Sequence, residues 1–226
     1  MSRKTALIKG LALAGLLASS AGSHGAGVLI SNPSFELPAC PAGCEGLSYT
    51  FSVSGWTVDG RAGIFAPGQY AGTAAYLPTD GNQVAWAERG IISQELGVSL
   101  TPNTFYTLSV DIGRRADMPF TGYSLELLAG NVVIVSGSSG IPLPAENTFA
   151  TATLTYTALQ SDTHVGEALG IRLISMGPQT SFDNVRLDAI PIAPNQITET
   201  PVPAALPLLA SALAGLGIMR RRRAKR

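Results

Sequence analysis

The side chains best equipped for chemistry in this sequence are few and far apart. Arg114 and Arg115 stand side by side in Gly113-Arg114-Arg115-Ala116-Asp117. Two planar guanidinium groups beside an acid can clamp an anionic or hydroxylated ligand through paired hydrogen bonds, and an arginine–aspartate pair can equally do no more than tether a long loop. Trp56, Tyr70, Tyr76 and Trp86 are rings on which the C–H faces of a pyranose would stack. Tyr70 and Tyr76 fall in a Gly- and Pro-rich stretch, residues 60–82, that reads as loop, a common place for binding residues. Trp86 alternates with Val84 and reads as core, whereas Trp56, after Gly55, fits either a platform or a plug for the core.

Cys40 and Cys44, the only cysteines, bracket Pro41-Ala42-Gly43. In an exported protein such a pair is expected to form a disulfide that staples a small loop; a redox role would favour two intervening residues and a βαβ setting. Hydrolase motifs are missing: there is no Gly-x-Ser-x-Gly and no His-Glu-x-x-His. His164, in Ser161-Asp162-Thr163-His164, reads as part of a solvated loop. A glycosidase pair would be hidden among the acids, because their separation in space is not legible in a sequence. The expectation is therefore a body that binds and does not catalyse.

The elements that must position these groups read as strands. Phe105 to Ile112 alternates strictly, with Tyr106, Leu108, Val110 and Ile112 on one face and Thr107, Ser109 and Asp111 on the other. Residues 123–128, 149–157, 169–175 and 181–187 read similarly, and 83–88 and 91–96 form strands around Arg89-Gly90. No stretch of the body holds a 3.6-residue period over three turns. One all-β domain follows, an antiparallel sandwich over residues 24–190.

Both ends read as targeting segments. Arg3, Lys4 and Lys9 precede the apolar stretch 10–18 and the small-residue cluster 19–23, the layout of a signal peptide covering residues 1–23. After a Pro-rich linker, residues 191–203, an apolar run extends from Ala204 to Met219, and six of the last seven residues are Arg or Lys. At about 1.5 Å per residue that run falls short of a ~30 Å hydrocarbon core, so the helix expected at 204–226 is a marginal anchor with a cytoplasmic C-terminus. Without the two ends, six arginines face fifteen carboxylates, a net charge of −9. A body this acidic does not bind nucleic acid through its phosphates and suits divalent cations.

Two resemblances add to this. The tail, with Pro201-Val202-Pro203-Ala204 before the apolar run and the arginine cluster, resembles the PEP-CTERM sorting signal in its VPLPA variant, although Thr200 and Val202 depart from it. That implies an exosortase partner in a Gram-negative inner membrane, signal peptidase at the other end, and a product at the cell surface or in the extracellular matrix. Asn32-Pro33-Ser34-Phe35-Glu36, Gly55-Trp56, Asp80-Gly81-Asn82, Ile92-Ser93-Gln94-Glu95-Leu96 and Phe182-Asp183-Asn184-Val185-Arg186-Leu187 together resemble the galactose-binding-like jelly roll shared by carbohydrate-binding modules. The resemblance implies a structural Ca2+ held by Glu36 and Asp183, although a turn cap at Glu36 and local backbone bonds at Asp183 would account for both residues as well. The combined expectation is a non-catalytic module for extracellular polysaccharide, with Tyr70, Tyr76, Trp56, Arg114 and Arg115 as its ligand-binding residues. A structural or adhesive surface protein and a glycoside hydrolase are the alternatives.

Overall fold

The computed structural model describes residues 25–39, 49–67, 76–138 and 143–192. They form ten strands and no α-helix: β1 (Ala26–Gly27), β2 (Tyr49–Thr50), β3 (Thr57–Phe65), β4 (Val84–Ser99), β5 (Thr104–Arg114), β6 (Tyr123–Ala129), β7 (Val132–Ser138), β8 (Thr148–Ala158), β9 (Ala168–Ser175) and β10 (Thr180–Pro191). Every pairing is antiparallel, in the order β7-β6-β9-β4-β10-β5-β8, with β3 on the remaining edge of β4.

Strand β4 makes the sheet wrap. Its first part, Ala85–Ala87, pairs with β10, and its second part, Ile91–Ser99, pairs with β9. The change falls at Arg89-Gly90, where Arg89 takes φ 51° and the ladder to β3 slips register. Such bulges let one strand turn a corner between two layers. At the far ends β7 and β8 come together, with Leu154 packed beside Gly137. The sheet is thus nearly closed around one core.

Alternation fills that core. Tyr106, Leu108, Val110 and Ile112 of β5 are buried together with Leu125 and Leu127 of β6, Leu169, Ile171 and Leu173 of β9, and Phe182, Val185 and Leu187 of β10. The all-β antiparallel expectation holds, and each strand expected from residue 83 onward is present. Four strands were not foreseen, the two-residue β1 and β2 as well as β3 and β7: the stretch expected as loop from residue 60 is strand as far as Phe65. The expected signal helix and tail helix, the sorting motif Pro201-Val202-Pro203-Ala204, Tyr70, and the Cys40–Cys44 pair lie outside the described residues. Among the described residues, no helix is long and apolar enough to cross a membrane.

Short polar phrases fasten the chain to this frame. Gln94 donates to the carbonyls of Ser31 and Gly55 at 2.9 and 2.8 Å and accepts from Ser31 N at 2.8 Å. Asn32 bonds both ways with Leu37, at 2.7 and 3.0 Å, and donates to the Ser54 carbonyl at 3.1 Å. Phe35, fully buried, packs 5.3 Å from Trp56. Trp56 is itself buried and donates through Nε1 to the Asn32 carbonyl at 3.1 Å. Trp56 is therefore a core plug.

Candidate functional site

Alternation along β3, β4, β10, β5 and β8 builds the site. Ile64, Ala85, Phe182, Ile112 and Ala152 enter the main core. Their chain neighbours Phe65, Trp86, Ser181, Asp183, Asp111, Gly113 and Thr151, with Phe149 two residues before Thr151, share the opposite face. Register sets them side by side: Trp86 opposite Ser181, Ser181 opposite Gly113, and Gly113 opposite Phe149. In the same way Asp183 lies opposite Asp111, and Asp111 opposite Thr151.

A second apolar cluster lies on this face, made of Phe65, Tyr76, Val84 and Trp86 with Phe149 against it. The ring of Tyr76, from the β3–β4 connection, stacks 4.8 Å from Phe149 at 13° and 6.4 Å from Phe65 at 18°. Phe51, 54% exposed, meets Trp86 edge-on at 5.6 Å and carries the cluster to the surface. The Arg115 guanidinium lies 5.4 Å from the centre of the Phe65 ring, within cation–π range.

Asp183 is fully buried beside this cluster. Its Oδ2 accepts from Thr79 N at 2.8 Å, Thr79 Oγ1 at 2.9 Å and Asp80 N at 3.0 Å, and its Oδ1 from Asn184 N at 2.8 Å. Burial outweighs these bonds and pushes its pKa up to about 6. Asp111 goes the other way. Burial works against its ionisation, but hydrogen bonds from Thr151, Thr79 and Asn184, with Arg186 nearby, hold its carboxyl below the usual range. Thr151 Oγ1 donates to it at 2.6 Å, Asn184 Nδ2 at 3.1 Å and Arg186 Nη2 at 3.4 Å. Two adjacent carboxylates whose surroundings drive their pKa values apart can divide the labour of acid catalysis. Asp183 can hold a proton to give, and Asp111 supplies a fixed negative charge.

The sequence-expected residues are redistributed by the fold. Glu36 and Asp183 do converge, on the two ends of the loop Thr79–Gln83. Glu36 Oε1 accepts from Asn82 N at 2.8 Å and Gln83 N at 2.7 Å. Gly81 between them has φ +76°, and a Cβ there would run into Glu36. Both carboxylates thus receive backbone N–H groups, the simpler of the two alternatives for them. Among the described residues there is no group of three or more His, Cys, Asp or Glu that could hold a metal ion. Tyr76 lies in the loop between β3 and β4, as expected, but as a fully buried ring and not an exposed platform. The paired arginines act as tethers: Arg115 grips Asp117 at 2.9 and 2.5 Å and Gln179 at 3.0 Å, and Arg114 reaches Glu146 at 2.9 Å. The hydrogen bonds from Arg115 hold the Asp117 carboxyl below its ordinary range. Sequence reasoning missed Phe65, Phe149, Ser181 and the pairing of Asp111 with Asp183. Only the polar side of β5 signalled any of these.

Comparison with known proteins shows the family to which this sheet belongs. The family model described as HpiC1-like, HpiC1 cyclase, matches residues 26–188. Among solved structures, a cyclase from Fischerella sp. TAU superposes with a TM-score of 0.66 at 29% identity, over 76% of this chain and 100% of that one. The Stig cyclase Fisc from the same organism, in complex with (3Z)-3-(1-methyl-2-pyrrolidinylidene)-3H-indole, gives 0.64 at 30% identity over 75% and 100%. A cyclase from that organism in complex with 4-(1H-indol-3-yl)butan-2-one gives 0.62 at 30% identity over 75% and 100%. A search of curated proteins finds no match.

These matches overturn the expected non-catalytic polysaccharide-binding module, and with it the matrix role; neither a purely adhesive protein nor a glycosidase fits better. The missing hydrolase motifs misled because a cyclase need carry none of them. With residues 26–188 matched, the chain belongs to the HpiC1-like cyclase family.

Proposed function

We propose that this protein catalyses acid-promoted ring closure of an apolar substrate bearing an indole-type ring. One observation carries the reading: a fully buried carboxylate, Asp183, shares a sheet face with Phe65, Trp86 and Phe149. In the proposed step the carboxylic acid of Asp183 protonates an unsaturated carbon of the substrate and leaves a carbocation. The surrounding ring faces stabilise that cation through their quadrupoles, and the ionised Asp111 adds a favourable charge. A substrate π-bond attacks the cation and forms the new C–C bond. Loss of a proton to the Asp183 carboxylate restores the acid, so the product is an isomer of the substrate. The indole class is drawn from the ligands held by the two related cyclases.

The test is turnover of an indole with an unsaturated side chain in deuterium oxide. The expected product is a ring-closed isomer carrying one solvent deuterium, formed by wild type and not by Asp183→Asn. Ring closure without deuterium uptake would overturn the proton-donor role.

Other elements of the reading are proposals on different grounds. The galactose-binding-like jelly roll is the finer description of the wrapped antiparallel sheet, supported by the five motifs quoted above. Calcium is proposed as a stabilising ion, supported by the acidic body and the position of Glu36, with no catalytic step assigned to it. Export is proposed from the two chain ends: signal peptidase removing residues 1–23 and an exosortase-type enzyme cutting near Pro203 deliver the body through the inner membrane toward the surface.

A further inference from the structure

Asp183 is the proposed acid, yet no face of it is open. The residue is fully buried, and among the described residues four groups bond to its carboxyl: Thr79 N, Thr79 Oγ1 and Asp80 N at Oδ2, and Asn184 N at Oδ1. A proton on that carboxyl needs a neighbour able to accept it. Backbone N–H groups only donate, so three of the four cannot do so. The fourth is the Thr79 hydroxyl, 2.9 Å from Oδ2, which carries one proton and two lone pairs. Thr79 is also the exposed member of the pair, on the loop between β3 and β4. The route from the acid to anything outside it runs through this hydroxyl.

The same hydroxyl bonds Asp111. A single hydroxyl proton cannot serve two ionised carboxylates at once. With Asp183 protonated the row is complete: Asp183 Oδ2 donates to Thr79 Oγ1, and Thr79 Oγ1 donates to Asp111. Asp111 is the anionic end, since Thr151, Asn184 and Arg186 all donate to it, at 2.6, 3.1 and 3.4 Å. Register places Asp111 opposite Asp183 on neighbouring strands, which is why one threonine reaches both.

We propose that Thr79 is a further catalytic residue, relaying the proton of Asp183 to the substrate through its hydroxyl. This rests on the cyclase reading above and completes its proton path. The Thr79 Oγ1–H bond breaks as the new C–H bond forms at the unsaturated carbon, and the Asp183 Oδ2 proton moves to Oγ1 in the same step. Thr79 ends as a hydroxyl donating to the Asp183 carboxylate, the bond present in the structure at 2.9 Å. After ring closure the proton returns by the reverse path. The product loses it to Oγ1, whose own proton passes to Oδ2, and acid and alcohol are both restored.

The test is kcat and KM of the full chain with an indole carrying a 3-alkenyl side chain. Thr79→Val keeps the shape and the backbone donors and deletes the hydroxyl; Thr79→Ser keeps the hydroxyl and deletes the methyl. Thr79→Val should lose at least about 100-fold in kcat with KM within about twofold of wild type, and Thr79→Ser should stay within about fivefold. A residue that only packs would give the reverse order. Should Thr79→Val fail to fold, Thr79→Ala takes its place against the same serine variant. Turnover by Thr79→Val within about threefold of wild type, or turnover by Thr79→Ser as slow as that of Thr79→Val, would overturn the relay. If Asp183→Asn is inactive in that case, Asp183 delivers its proton directly and the cyclase reading stands. If Asp183→Asn turns over as fast as wild type, or wild type does not turn over at all, the proton-donor reading falls and the relay with it.

Discussion

Replacing Asp183 by Asn leaves the shape of the side chain intact and removes its ability to carry a proton. Two energetic effects of this change oppose each other. At pH 7 the wild-type carboxylate is largely ionised in a site that favours its neutral form, with a pKa of about 6 in place of 3.8. That difference disfavours the folded state by about 3 kcal/mol, and Asn is free of it. Against this, the amide NH2 group must face either Asn184 N or the three donors at Thr79 and Asp80, stranding at least one buried N–H at about 1–3 kcal/mol. The melting temperature at pH 7 should therefore move by no more than about 4–8 °C. Turnover should fall by about 10²–10⁴, the contribution of a positioned general acid. The sign of the pH dependence follows from the raised pKa. The folded state holds this proton more tightly than the unfolded chain, so the contribution to stability is full below pH 3.8 and is lost as pH rises through about 6. Wild-type turnover should fall about tenfold per pH unit above 6, as the protonated fraction falls. Chromatography of the ring-closed product and thermal melts from pH 4 to 8 measure both. Activity of Asp183→Asn within about threefold of wild type, or a wild-type rate that climbs between pH 6 and 8, would refute the assignment of Asp183 as proton donor.

Gly113→Ala should lower stability by about 1–3 kcal/mol through overpacking against Tyr76 and Phe149 while leaving the far-ultraviolet dichroism unchanged; an unshifted melt would mean that the aromatic cluster is loosely held. Calcium at 100 times its Kd should add about 2.7 kcal/mol to stability, lost on chelation and in Glu36→Gln. If Asp183→Asn abolishes that response instead, Asp183 is a ligand and not the acid. Intact-mass measurement of native protein should show the loss of residues 1–23 and of the arginine-rich tail, and retention of Met219 to Arg226 in surface material would refute processing.

The strands were legible because each is a local pattern. Tyr106, Leu108, Val110 and Ile112 announce their face by alternation alone, and Arg89-Gly90 announces the kink of β4. β3 was hidden by its glycines: Thr57–Phe65 contains Gly60 and Gly63, which read as loop until a partner strand pairs with them. Pairing is what a single sequence conceals. Asp111 and Asp183 are 72 residues apart in the chain and meet only because β5 and β10 lie in one register.

The same distinction explains why the motifs pointed to a binding module. Gln94 ties Ser31 to Gly55, Asn32 orders the turn that buries Phe35, and Glu36 caps the loop that Gly81 allows. These contacts fasten an N-terminal segment across a wrapped sheet, so they serve the frame and carry no information about what the other face does. That face is made by the alternate residues of the same strands, Trp86 beside Ala85 and Asp183 beside Phe182. A buried acid among aromatic rings in place of exposed rings among hydroxyls makes a surface unlike one that holds a sugar and in keeping with the proton transfer proposed above. The difference lies in the burial of Tyr76 and Asp183, which depends on how the loop 79–83 is drawn down by Glu36 and Asp183 themselves.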